Sequence, residues 1–102
     1  MDRIAQLQKF IEAQPDEAFP RYALALELKG KGDAAAAAAA LTELLQRKPD
    51  YLAAYLQQGM VLQTLGRVDD ARATLSRGQA LARQKGDSHT LSELSAALEA
   101  LP

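Results

Sequence analysis

Residues 50–85 read DYLAAYLQQGMVLQTLGRVDDARATLSRGQALARQK, and this stretch decides the fold. Leu52, Tyr55, Leu56, Met60, Val61 and Leu62 recur at helical spacing, with Asp50 expected to cap the helix at its start and Gly66 to end it. A second helix is expected from about Val68 to Gln84. Its acidic residues Asp69 and Asp70 stand near the positive end of the helix dipole and Arg83 and Lys85 near the negative end, the arrangement the dipole favours. The break lies at Leu65-Gly66-Arg67, where glycine accepts the left-handed conformation that closes a helix.

The same grammar extends in both directions. Upstream, Asp33 is placed to cap a helix that opens with the alanine run Ala34 to Ala40 and continues through Leu41, Leu44 and Leu45 to Lys48-Pro49. Alanine has the best helix propensity, and its small side chain lets a neighbouring helix approach closely. Before that, a helix runs from about Glu17 or Pro20 to Lys29 and stops at Gly30-Lys31-Gly32, since proline is tolerated in a first turn. The first helix spans Asp2 to Ala13, with Asp2 as its cap and Ile4, Leu7, Phe10 and Ile11 at helical spacing. Downstream of Gly86-Asp87, Leu91, Leu94, Leu98 and Leu101 form one stripe of a final amphipathic helix over roughly Ser88 to Ala100. Thr90 and Glu93 have capping-box spacing, which allows a start as late as Leu91.

An all-α domain of about six helices follows, and the composition agrees with it. The 102 residues are 48% apolar and 25% charged, with 5% aromatics and no Trp, so the core must be built from Leu and Ala. Twelve Lys or Arg against thirteen Asp or Glu leave a net charge of −1, which gives no drive towards nucleic acid or an acidic membrane surface. Without cysteine there is no disulfide, thiolate nucleophile or Cys-based metal site. The N-terminus lacks the pattern of a signal peptide and no run of apolar residues is long enough to span a bilayer, so a cytoplasmic protein is expected.

A fixed period sets the architecture. Pro15 and Pro49 stand 34 residues apart, as do Gly32 and Gly66, Ala37 and Ala71, Leu41 and Leu75, and Leu28 and Leu62. A helix-turn-helix unit that cannot bury its apolar face alone does so by stacking on the next. At these positions the chain resembles the tetratricopeptide repeat family. Leu24, Ala25, Leu28, Ala37, Leu41, Leu44 and Pro49 match one unit, and Tyr55, Gly59, Leu62, Ala71, Leu75 and Gly78 the next. Three residues depart from the pattern: Arg21 replaces a large aromatic, Arg83 a proline and Gln58 an apolar residue. The resemblance implies a right-handed superhelix of antiparallel hairpins. It divides the chain into a half repeat (1–17), two repeats (18–51 and 52–85) and a C-terminal capping helix (88–101), provided Gly86-Asp87 is a two-residue insertion.

No catalytic chemistry is legible. His89 is the only histidine, no serine has a second catalytic partner in a nucleophile motif, and Gly30-Lys31-Gly32 lacks the spacing of a phosphate loop. Arg67, Arg72, Arg77 and Arg83 wind around their helix instead of forming one stripe. No enzyme, cofactor or metal is expected.

The family resemblance implies a concave groove lined by the first helix of each repeat. Its positions here are Phe19, Tyr22, Leu26 and Lys29 in one unit, and Ala53, Leu56, Met60 and Gln63 in the next. Members that clamp the C-terminal carboxylate of heat-shock chaperones place Lys and Asn where this chain has Tyr22 and Leu26, so a different ligand class is expected. The mostly apolar lining leaves three readings open. It takes an amphipathic helix or apolar peptide of another protein, with Tyr22, Leu26, Leu56 and Met60 as anchors; it mediates self-association; or it is filled by the chain's own terminal helix.

Overall fold

The computed structural model describes residues 2–102, and among them it holds six α-helices and no strand. They are α1 (Arg3–Ala13), α2 (Ala18–Gly30), α3 (Ala34–Arg47), α4 (Leu52–Thr64), α5 (Val68–Lys85) and α6 (Ser88–Glu99). Each helix packs on its successor, and α6 also meets α4, as short connections between antiparallel helices require.

Two of the expected caps form. Asp2 Oδ1 accepts from the Ala5 N–H at 2.7 Å, and Asp33 Oδ1 from the Ala36 N–H at 3.1 Å. Two others do not. Asp50 lies in the turn that follows α3, one residue too early to cap; Tyr51 takes the cap position without a side-chain bond, and α4 starts at Leu52. At α6 the cap is Asp87, not Thr90. Its Oδ1 accepts from the Thr90 N–H at 3.0 Å, and the Thr90 hydroxyl donates to Oδ2 at 2.8 Å, so Thr90 sits inside the first turn and the capping box with Glu93 is not used. The helix stops are more uniform. Gly32, Gly66 and Gly86 all have positive φ, and the N–H that follows each bonds back five residues to Leu28, Leu62 and Ala82, the closure that glycine permits without steric cost. α4 itself ends at Thr64, two residues before Gly66.

The starts of α2 and α4 are 34 residues apart, whereas α6 begins 36 residues after α4. The extra length is helical. With Arg83 where the preceding unit has Pro49, nothing halts α5 and it continues to Lys85, giving 18 residues against 14 in α3.

The core is leucine and alanine. One buried cluster joins Ala25, Ala37, Ala38, Leu41, Leu44, Ala54 and Val61, and a second joins Tyr55, Leu75, Ala82 and Leu94, with Leu45 packed against both. The alanine run presents only one face to this core, since Ala37 and Ala38 are buried while Ala35 and Ala39 are exposed. Close approach makes two small residues obligatory. A Cβ on Gly59 would lie 2.5 Å from Leu75 Cγ, and one on Gly78 would lie 2.8 Å from Tyr55 Cβ.

The departures at Arg21 and Gln58 are accommodated by hydrogen bonding. Tyr55 donates its hydroxyl to the Pro49 carbonyl at 2.6 Å, and one period earlier Arg21 donates Nε to the Pro15 carbonyl at 2.9 Å. The arginine thus holds the same inter-helix turn as the aromatic. Gln58 is buried and donates Nε2 to Thr42 Oγ1 at 2.9 Å and to the Ala38 carbonyl at 3.3 Å, while its Oε1 has no donor.

Candidate functional site

The helix α4 packs on α6 and is joined to α2 by the bond from Lys29 to Gln57. Because α2, α4 and α6 begin at Ala18, Leu52 and Ser88, residues at equal distance from each start fall in rows across the three helices. Phe19, Ala53 and His89 form one row; Tyr22, Leu56 and Ser92 the next; then Leu26, Met60 and Ala96; and finally Lys29, Gln63 and Glu99.

Phe19 is 65% exposed, Met60 38% and Leu26 37%, so the apolar side chains of these rows stay open to solvent. Ala53 and Gln63 are exposed as well. Tyr22 is half-buried, with its ring centroid 5.4 Å from that of Tyr51 and tilted by 48°. Leu56 differs from its neighbours, because it is half-buried and packs into the second core cluster alongside Leu91, Leu98 and Leu101. Leu56 is thus held against the second core cluster, while Phe19, Leu26 and Met60 stay exposed.

The expected residues are joined by one that the sequence reading missed. Gln57 Oε1 accepts from Lys29 Nζ at 2.8 Å, tying α4 to α2. Burial pushes the Tyr22 hydroxyl above the usual tyrosine range; the side-chain amide of Gln57 draws it back, and Tyr51 and Glu93 push it up further. Tyr22, Gln57 and Lys29 thus make a polar centre between the exposed apolar side chains. The signal for it was present in the period, since Ala23, Gln57 and Glu93 hold equal places in α2, α4 and α6, but only contacts between helices turn that register into a network.

Two notches lie between α1 and α3 and between α3 and α5. Gln8, Ile11, Arg21, Leu24 and Glu43 line the first, and Thr42, Leu45, Tyr55, Gln58 and Arg77 the second, each residue one period from its counterpart. In the first, hydrogen bonding from Arg47 holds the Glu43 carboxyl below the usual carboxylate range. No group of acidic and histidine side chains able to hold a metal ion occurs among the described residues. No described helix is long and apolar enough to cross a membrane.

Comparison with known proteins agrees with the helical-repeat fold. Residues 28–94 match the family profile described as Tetratricopeptide repeat. A tetratricopeptide repeat domain protein from Salinibacter ruber is similar in its crystal structure, at 38% identity over 81% of this chain and 92% of that one, with a TM-score of 0.77. Its solution structure matches at 39% identity over 83% of this chain and 86% of that one, again with a TM-score of 0.77. A protein from Bordetella parapertussis with a known solution structure aligns over 97% of this chain and 86% of that one, at 25% identity and a TM-score of 0.84. No curated protein matches the chain.

Proposed function

The chain belongs to the tetratricopeptide repeat family, and on that premise we propose that it is a non-catalytic scaffold binding a peptide or helix of another protein. The binding groove is the face of α2 and α4, taken as the concave side, with Phe19, Tyr22, Leu26, Lys29, Leu56, Met60 and Gln63 as its lining. The chain divides for this purpose into a half repeat (1–17), two repeats (18–51 and 52–85) and a capping helix (88–101). One observation carries the reading: Phe19, Leu26 and Met60 stay open to solvent on one face while the leucine core beneath them is complete. Clustered apolar side chains of this kind mark interaction surfaces, and Phe and Met supply large, adaptable contacts.

The test replaces Leu26 and Met60 with Ser together, because both are exposed and neither belongs to the buried core. Leu56→Ser is a poorer probe, since it disturbs packing against the second core cluster. Affinity capture from lysate with the double variant should lose the partner while its circular dichroism stays that of the parent. Retention of the same partner refutes the groove. Light scattering across a concentration series identifies the case in which the occupant is a second copy of the chain.

A further inference from the structure

The rows that place the groove also give it a direction. On α2 they carry Phe19, Tyr22 and Leu26, on α4 Ala53, Leu56 and Met60, and on α6 His89, Ser92 and Ala96. The wall thus runs from bulky apolar side chains on α2 to small and polar ones on α6. Two carboxylates complete the α6 wall: Glu93, level with Gln57, and Glu99, level with Lys29 and Gln63. Both are exposed.

Neither carboxylate is neutralised by a full cation. Glu93 has only His89 Nε2 at 3.5 Å, an exposed imidazole that is charged only when protonated, and Glu99 has no ion-pair partner among the described residues. On the other side of the groove Lys29 is hydrogen-bonded to the neutral amide of Gln57 and keeps its positive charge, so the negative charge is confined to the α6 side. An occupant seated on Leu26 and Met60 therefore meets uncompensated negative charge on the α6 side, where a cation gains most.

We infer that the groove selects a peptide segment of another protein bearing a bulky apolar residue for the α2–α4 side and Lys or Arg for Glu93 and Glu99. The inference rests on the groove reading given above and specifies its ligand. Acidic segments are rejected by the same wall, so the two carboxylates act as specificity determinants.

The experiment is selection from a random dodecapeptide display library on three proteins: the parent, the Glu93→Lys/Glu99→Lys variant and the Leu26→Ser/Met60→Ser variant. All four positions are exposed, and circular dichroism verifies folding. The parent should enrich peptides that combine bulky apolar residues with Lys or Arg. Charge reversal should exchange that preference for Asp and Glu, and should weaken a parent-selected peptide about tenfold or more at low salt, with the difference shrinking as salt is raised. A parent pool without basic enrichment, or a preference unchanged by charge reversal, overturns the inference. If Leu26→Ser/Met60→Ser abolishes enrichment while charge reversal changes nothing, the groove stands and its proposed basic ligand falls. A parent pool with no enrichment at all removes both.

Discussion

Gln58→Leu should make the protein more stable. Gln58 is 6% exposed, and its Oε1 is enclosed without a donor, a deficit that costs about 1–3 kcal/mol. Against that stand two bonds from Nε2, one of 2.9 Å to Thr42 Oγ1 and one of 3.3 Å to the Ala38 carbonyl, the second too long to contribute much. Removing the amide orphans neither acceptor. Thr42 is exposed and can turn to water, and the Ala38 carbonyl lies in the middle of α3, where the helical ladder supplies a donor four residues on. The replacement is of similar size, and this chain already places leucine at the two equivalent positions, with Leu94 fully buried and Leu24 half-buried. A net gain of about 1 kcal/mol is expected, which for a domain of this length raises Tm by about 4–8 °C. Thermal and urea denaturation of parent and variant measure it, and Thr42→Val, which removes the better acceptor, should shift Tm the other way. A lower Tm for Gln58→Leu would refute the reasoning, because it would mean that Oε1 finds a donor in solution and that the polar contacts outweigh the leucine.

The glycines of the helices should separate by their surroundings. Gly59→Ala drives a methyl into Leu75 within the second core cluster and should cost about 1–3 kcal/mol, whereas Gly30→Ala meets nothing within 4 Å and should gain up to about 1 kcal/mol from helix propensity; equal shifts in urea midpoint would contradict the packing described. Arg21→Tyr should leave stability nearly unchanged, because Tyr55 makes the equivalent bond to Pro49, while Arg21→Ala should lose about 1 kcal/mol. A Tyr variant as unstable as the Ala variant would disprove the equivalence. Asp87 is held below the usual carboxylate range, first by the Thr90 backbone N–H and then by the Thr90 hydroxyl. Its folded-state pKa is depressed, so the stability it contributes is present above the unfolded value of about 4 and is lost as pH falls through the lower folded value. The Tm difference between the parent and Asp87→Ala should therefore shrink in strong acid, and a difference that persists there would show that the cap does not depend on ionisation.

The sequence by itself determined the helices and their repetition. Apolar spacing, the 34-residue period, the caps at Asp2 and Asp33 and the stops at Gly32, Gly66 and Gly86 are local signals, because a helix is specified by residues within a turn or two of one another. The extra length of α5 is not legible that way: Arg83 stands out only as a departure from proline, and the two extra residues are assigned to Gly86-Asp87. The start of α6 at Ser88 is legible, and only the later alternative through Thr90 fails; at α4 the cap position falls on Tyr51 instead of Asp50, since a capping side chain one residue away looks equally good until the turn preceding it has a conformation. Tertiary structure alone decided what joins distant residues. The burial of Gln58 against α3, the bridge from Lys29 to Gln57 and the packing of Leu56 on the second core cluster all depend on where neighbouring helices lie. Periodicity marks which side of a helix is apolar, but whether a side chain there is buried or left open depends on what packs over it. For that reason Leu56 and Met60, four residues apart on the same helix, end with one held in the core contact and the other available to a partner.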